Sequence, residues 1–144
     1  MPRVVVAAAI ALATVACAGV PVPEAIAGPT IVEGLLLDHQ GAPLPGAEVT
    51  LDVRVATDLA GDLVETLYEV VTTTDSSGRF VFRGPPPPDV VAHIGRDGSV
   101  DFDLLGIDPR TGGAATWSFP REIVGASWAD AAPTIQLRVV ESGG

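Results

Sequence analysis

The segment Val49-Thr50-Leu51-Asp52-Val53-Arg54-Val55 alternates branched apolar residues with polar or charged residues at every position. Because successive side chains of a β-strand point to opposite faces of the sheet, this segment predicts a strand with one buried face and one solvated face. The chain after residue 27 repeats this period, and no stretch of it has the apolar periodicity of a three-turn helix. The body of the protein is therefore predicted to be all-β.

Seven further stretches alternate in the same way between turn signals. They are residues 31–38, 67–75, 79–83, 90–94, 100–104, 116–119 and 133–140. Their connections contain the residues typical of hairpin turns, at 40–46, 75–78, 96–98 and 109–113. Seven or eight short strands at this spacing predict a single antiparallel Greek-key β-sandwich, either Ig-like or transthyretin-like.

The segment Gly84-Pro85-Pro86-Pro87-Pro88 interrupts the strand pattern, since consecutive prolines hold an extended conformation and cannot donate to a ladder. The halves on either side of it are each too small to bury a core alone. We therefore interpret it as a rigid crossover within one domain, which spans residues 28–144.

The composition excludes one class of partner. The 144 residues carry a formal net charge of −10, with 18 acidic residues against 8 basic ones, and every basic residue is an arginine. Because affinity for nucleic acid comes largely from neutralising phosphates with lysine and arginine, nucleic acid is not an expected partner. The same charge opposes adsorption to anionic lipid headgroups, so contact with a membrane is expected only through a lipid anchor.

The N-terminus has the pattern of an export signal. Met1-Pro2-Arg3 carries a positive charge and precedes thirteen uncharged, predominantly apolar residues at 4–16. This stretch is shorter than the roughly 20 residues that span a bilayer, but it has the length of a signal-peptide hydrophobic region. An extracytoplasmic location is therefore expected.

Two cleavage signals follow this stretch. Thr14-Val15-Ala16-Cys17 resembles a lipobox, in which Cys17 becomes the acylated N-terminus and residues 1–16 are removed. Ala25-Ile26-Ala27 fits ordinary signal peptidase, which would remove residues 1–27. Cys17 is the only cysteine, so no intramolecular disulfide can form. The mature protein is expected to be either lipid-anchored through Cys17 or secreted.

Two neighbouring motifs narrow the fold. They are Gly34-x-x-x-Asp38-x-x-Gly41-x-Pro43-Leu44-x-Gly46-Ala47-x-Val49-x-Leu51 and Thr73-Thr74-Asp75-x-x-Gly78-x-Phe80-x-Phe82. In the order and spacing of their glycines, over residues 31–83, they resemble the carboxypeptidase regulatory-like domains, a group of transthyretin-like (prealbumin-like) β-sandwiches. The resemblance implies that these residues serve the fold. The following segment lacks the family's Leu-Pro-Pro-Gly-x-Tyr continuation, and the chain beyond residue 100 matches no motif.

The residue inventory excludes several activities of this wider fold group. Intradiol dioxygenases hold iron with two tyrosines and two histidines, whereas Tyr68 is the only tyrosine here. The transthyretin-like hydrolases of the urate pathway end in Tyr-Arg-Gly-Ser, whereas this chain ends in Glu-Ser-Gly-Gly. Lysine and asparagine, which form the isopeptide crosslink of adhesin-type sandwiches, are both absent. No cofactor is expected.

His39 and His93 are the only histidines, the residue type that most often acts as a general acid or base near neutral pH. His39 follows Asp38, whose carboxylate could orient the imidazole, while His93 falls in a predicted strand. No Gly-x-Ser-x-Gly or other nucleophile motif accompanies them. We therefore assign no catalytic residue, and a small hydrolase using Asp38 and His39 remains an alternative.

Four aspartates lie close together in sequence: Asp97, Asp101, Asp103 and Asp108. Carboxylate oxygens are the ligands that Ca²⁺ prefers, but no twelve-residue calcium-loop pattern is present. Asp101 and Asp103 alternate with apolar residues, as expected for a half-exposed strand. No metal site is therefore assigned.

The two tryptophans are candidates for stacking on a sugar ring, since an indole offers both an apolar face and an N–H donor. Trp117 alternates with Phe119, which predicts that both rings face inward. Trp128 lies in a predicted loop at 125–130 and is the better surface candidate. Packing against the core or anchoring of that loop is the other interpretation of Trp128.

These observations lead to one functional hypothesis and two alternatives. The first is an exported, non-enzymatic β-sandwich module with a binding or structural role at the cell envelope, where its partner is a polysaccharide or a protein. The first alternative is a polysaccharide-binding module using Trp128 together with Asp101 and Asp103. The second is the small hydrolase using Asp38 and His39.

Overall fold

The structure is a computed structural model that describes residues 28–56, 64–94, 97–129 and 132–141. The predicted leader at 1–27, with its two cleavage signals and Cys17, lies outside these residues. No helix of the described residues is long and apolar enough to cross a membrane.

The described residues form eight strands and one short helix. In chain order they are β1 (Thr30–Leu37), β2 (Glu48–Ala56), β3 (Val64–Thr73), β4 (Arg79–Arg83), α1 (Pro88–Ile94), β5 (Asp97–Ile107), β6 (Ala114–Val124), β7 (Ser127–Trp128) and β8 (Thr134–Arg138). The strands make a three-stranded sheet in the order β4-β1-β8 and a five-stranded sheet in the order β3-β2-β5-β6-β7. Neighbouring strands are antiparallel except for β1 and β8, which are parallel.

The hydrophobic core lies between the two sheets, so the prediction of an all-β, sandwich-like fold is confirmed. In β2, Val49, Leu51, Val53 and Val55 are all buried, as their alternation predicts. Phe102 of β5 lies at the centre of the core, with edge-to-face contacts to the rings of Phe119 and Trp128, each with centroids 5.4 Å away. Burial of such side chains is the main source of stability of a sandwich this size.

The strand prediction at 90–94 is wrong, because these residues belong to the helix α1, and His93 lies in its last turn rather than in a strand. Pro88 occupies the first helical position, where its fixed φ suits a helix and its missing N–H costs nothing. The carbonyl of Pro87 accepts hydrogen bonds from the N–H groups of Val90 and Val91. Only Val90 of this segment is fully buried, and one buried residue in a five-residue window cannot distinguish a period of 2 from one of 3.6.

The predictions for β5 and β6 are correct in type but too short. The two strands pair over eleven residues each, from Asp97 opposite Val124 to Ile107 opposite Ala114. Asp97 and Gly98, which were expected in a hairpin turn, therefore begin β5. After β6 the chain reverses at Gly125, and Trp128 lies in the short strand β7 rather than in a loop.

Candidate functional site

At one end of the sandwich, which we call the turn end, three aspartates close three loops by the same device. Asp38 follows β1, Asp75 follows β3 and Asp108 follows β5. The backbone carbonyl of each aspartate accepts a hydrogen bond from the backbone N–H of a following glycine with positive φ. These glycines are Gly41, Gly78 and Gly112. A positive φ is nearly free for glycine and costly for other residues, which explains the Asp-to-Gly spacing of the sequence.

The side-chain oxygens of these aspartates bind their own turns. Oδ1 of Asp38 accepts the N–H groups of Gln40 and Ala42, each at 2.8 Å. The bond from Ala42 is the main reason why the pKa of Asp38 lies below its ordinary value, although burial acts against it. The pKa of Asp75 is lowered in the same way, first by the N–H of Arg79 and then by that of Ser77.

Arg110 joins two of the three turns. Its guanidinium hydrogen-bonds both oxygens of Asp108, which is 1% exposed, and lies 3.6 Å from Oδ2 of Asp38. The hydrogen bond from the Arg110 side chain is the largest cause of the lowered pKa of Asp108. Both oxygens of the Asp38 carboxylate thus have partners, in its own turn and in Arg110. The backbone carbonyl of the next residue, His39, accepts two hydrogen bonds from Arg138. The arrangement holds the loops together and leaves Asp38 a weak base.

At the opposite end, which we call the clasp end, two side chains of the β6–β7 hairpin reach across the molecule. The buried guanidinium of Arg121 donates to the carbonyls of Ile31 and Thr30, at the start of β1. The indole N–H of Trp128 donates to the carbonyl of Gly84 at 2.8 Å. The guanidinium also lies 5.3 Å from the centre of the Trp128 ring, within range of a cation–π contact.

The three side chains predicted to bind a ligand lie on different faces of the five-stranded sheet. Trp128 packs against Phe102 on the inner face, whereas Asp101 and Asp103 alternate with Phe102 and point outward. The structure therefore brings Asp101 and Asp103 together but does not bring Trp128 to them.

On the outer face, Asp103 takes part in a polar cluster with residues that sequence analysis missed. Arg54 of β2 donates to its Oδ2 and Ser118 of β6 donates to its Oδ1, both at 2.5 Å. These two residues, with Asp101 and Val64, line a shallow depression of about 320 Å³. The sequence signal for Arg54 and Ser118 was their position on the solvated faces of β2 and β6. Only the strand register shows that both lie beside Asp103.

The electrostatics of this cluster favour the ionised form of Asp103. Burial opposes ionisation, but the hydrogen bonds from Ser118 and Arg54, together with the charge of Arg54, outweigh it and lower the pKa of Asp103. Oδ1 of the neighbouring Asp52 is buried and has no hydrogen-bond partner among the described residues. Within the part of the chain that the structure describes, no three histidine, cysteine or acidic side chains are arranged to hold a metal ion.

Two other uncovered surfaces are mainly apolar. Between the edge strands β3 and β4, a groove of about 190 Å³ is lined by residues that include Tyr68, Val70 and Phe82. Trp117 of β6 is 51% exposed and does not pack against the core, whereas Phe119 is half-buried against it. Trp117 therefore shares the inner face with Phe119, as their spacing predicts, but the core does not cover its ring. Trp128, the better surface candidate in the sequence, instead packs against the core, in line with the other interpretation of that residue.

No protein-family model and no curated protein matches the chain. Among solved structures, the chain is similar to 3-chlorocatechol 1,2-dioxygenase from Rhodococcus opacus 1CP, with a TM-score of 0.35 and 20% identity. The alignment covers 85% of this chain and 63% of the dioxygenase, so the chain spans less than two thirds of that protein's length. A similarity at this TM-score supports no conclusion about function.

Proposed function

We propose that the protein is an exported, non-enzymatic β-sandwich module of Greek-key, transthyretin-like type that binds another component of the cell envelope. One observation carries the proposal. The carboxylates at the turn end that could act in catalysis, above all Asp38 and Asp108, are already engaged in hydrogen bonds that stabilise the fold. Large apolar side chains such as Val71 and Trp117, by contrast, lie on uncovered sheet surfaces. Exposed apolar surface of this kind is typical of interaction sites.

The two alternatives fare differently. A hydrolase using Asp38 and His39 would need a carboxylate free to orient the imidazole, and Asp38 instead accepts two backbone hydrogen bonds and faces Arg110. Polysaccharide recognition through Trp128 would need an accessible indole, and that N–H is bonded to Gly84. Polysaccharide recognition itself stays open, at a different residue.

The proposal is tested in two steps. Mass analysis of the mature N-terminus distinguishes a diacylglyceryl Cys17 from a free Gly28, and either result supports export, whereas an intact Met1 contradicts it. The purified mature protein is then sedimented with envelopes isolated from the producing cells, beside an unrelated protein of similar size and charge. We expect saturable binding of this protein alone.

Two further results would overturn the proposal. One is the absence of saturable binding to the envelopes. The other is turnover of an ester or amide substrate by the purified protein that is lost in His39→Ala or Asp38→Asn, because such a loss would show that these residues are catalytic.

A further inference from the structure

Trp117 is the largest apolar side chain that the two sheets leave uncovered. On β6 it shares the inner face with Phe119 and lies opposite Leu104 of β5, which is buried. The facing sheet has only three strands and ends at β8, whereas the five-stranded sheet continues through β6 to β7. Ala115, Arg121 and Ile123 on this same face are buried, whereas Trp117 is 51% exposed, so the packing of the opposite sheet leaves the face uncovered at Trp117.

The stretch of β6 on either side of Trp117 contains no charged residue, although Ser118 bonds to Asp103 and Arg121 follows Pro120. The sequence from Ala114 to Pro120 is Ala-Ala-Thr-Trp-Ser-Phe-Pro, although the chain as a whole has 18% charged residues and a net charge of −10. Trp117 and Phe119 point to the same face two residues apart, so their rings are separated by about 7 Å along the strand. The indole N–H of Trp117 has no hydrogen-bond partner among the described residues, in contrast to that of Trp128.

The edge of β6 beside Trp117 also has free backbone groups. On the side away from β5, the described residues pair with β6 at Ile123 and Val124, where β7 lies, at the carbonyl of Glu122, which accepts the N–H of Ala129, and at Ala114, which forms a bridge to Val140. Between these points, the described residues provide no strand to accept or donate the hydrogen bonds of the β6 backbone. An aromatic face, an indole donor and a row of backbone donors and acceptors thus lie together.

We propose that Trp117, together with the partly exposed Phe119, forms a stacking platform for a neutral glycan chain beside the stretch of β6 that no described strand covers. A sugar ring has an apolar C–H face that packs on an indole and hydroxyl groups that bond to the indole N–H and to backbone groups. A polyanionic glycan is disfavoured because the acidic chain repels it and no cation lies among residues 114–120. This inference rests on the proposed binding role and assigns it a site and a ligand class.

A peptide that adds a strand to this edge is the competing occupant. Pro120 removes one N–H from the edge, and the free stretch is bounded at both ends by β7 and by the bridge to Val140. Strand addition relies on continuous backbone pairing, which Pro120 interrupts, whereas a sugar ring needs only the exposed indole and isolated hydrogen-bonding groups.

The test is affinity electrophoresis of the mature protein in native gels that contain one neutral polysaccharide each: hydroxyethyl cellulose, glucomannan, dextran, or the neutral glycan fraction extracted from the producing cells. Carboxymethyl cellulose is the anionic counterpart of the first. We expect retardation in at least one neutral gel, loss of about tenfold or more of the affinity in Trp117→Ala, and little change in Trp128→Phe. Because Trp128→Phe leaves Trp117 as the sole tryptophan, its emission should shift to shorter wavelength when that polysaccharide is added.

Three results would overturn the inference: no retardation in any neutral gel, equal retardation of Trp117→Ala and wild type, or stronger binding to carboxymethyl cellulose than to hydroxyethyl cellulose. Circular dichroism of Trp117→Ala checks its fold, which should be unaffected since Trp117 lies outside the core. Sedimentation with envelopes separates this inference from the proposed function. If Trp117→Ala still binds envelopes like the wild type, the binding role stands and the glycan platform falls.

Discussion

The turn end is closed by hydrogen bonds made mostly within each loop, whereas the clasp end is closed by contacts between residues far apart in the chain. Asp38 and Asp75 bond to N–H groups two and four residues away. Arg121 and Trp128, by contrast, bond to carbonyls 90 and 44 residues away, at Ile31 and Gly84. The first kind of contact forms as soon as a turn forms, while the second requires both sheets to be in place.

The difference teaches where each end is vulnerable. The turn end depends on ionised carboxylates, so its stability responds to pH. The clasp end depends on one buried guanidinium and one packed indole, so it responds to the loss of volume and joins the β6–β7 hairpin to the start of β1. Four changes can break or sharpen this contrast.

The largest effect is expected from Trp128→Ala at the clasp end. The change removes the ring that packs against Phe102 and Arg121 and the donor to Gly84, and we expect a loss of about 3 kcal/mol in the free energy of unfolding. Urea denaturation followed by circular dichroism measures it. Trp128→Phe, which keeps a ring, should lose clearly less, and equal losses in the two variants would contradict the importance of the packed indole.

A smaller effect is expected from Asp108→Ala at the turn end. Asp108 is buried and binds Arg110 as well as its own turn, so its removal should lower the Tm by several degrees. Asp75→Ala is the matched control, because Asp75 is exposed and bonds only within its own turn. A control variant with a Tm as low as that of Asp108→Ala would show that the link through Arg110 contributes nothing.

The pH dependence separates the two ends. The pKa values of Asp38, Asp75 and Asp108 lie below their ordinary value of 3.8, so the native state favours the ionised carboxylates. Their contribution to stability is present above pH 3.8 and is lost as the pH falls through the lower folded-state pKa values. The deficit of Asp108→Asn relative to the wild type, measured by urea denaturation, should therefore shrink as the pH falls below 3.8 and through the lowered pKa of Asp108.

Trp128→Phe provides the comparison for this experiment, since neither Trp128 nor its partner Arg121 changes charge in acid. Its deficit relative to the wild type should be the same at neutral pH and in acid. A deficit of Asp108→Asn that persists unchanged in acid would mean that the buried carboxylate stabilises the turn end without ionising.

The smallest effect is expected from Arg54→Met on the outer face, away from both ends. Arg54 pairs with Asp103, but its side chain is 41% exposed and solvent screens the pair. We expect the Tm of Arg54→Met to lie within a degree or two of the wild-type value. If its Tm were lower than that of Trp128→Phe, the view that this cluster contributes little to stability would be contradicted.

The sequence predicted the parts of the fold whose signals are local. The alternation in β2 predicted which side chains are buried, and the spacing of Asp75 and Gly78 predicted a turn that the structure contains. The segment 90–94 was assigned to the wrong element because its pattern is too short to define a period, and because Pro88, which suits the first position of a helix, was interpreted as part of a crossover.

The candidate sites were harder to predict, because they depend on which strands become neighbours. Asp101 and Asp103 were correctly expected on a half-exposed face, but Arg54 and Ser118 join them only through the register of three strands. Whether Trp117 and Phe119 share a face follows from their spacing. Whether the opposite sheet covers that face cannot be predicted from the spacing, because coverage depends on how the two sheets pack.

By itself, the sequence determined the β-rich body, the faces of its strands and the aspartate–glycine turns, because these follow from steric and hydrogen-bonding preferences of residues close together in the chain. The tertiary structure alone decided that Trp128 is clasped to Gly84 while Trp117 stays exposed. The physical reason is that burial is a property of packed sheets: Trp117 and the buried Ala115 lie on the same face of β6, and only the packing of the opposite sheet leaves the first 51% exposed.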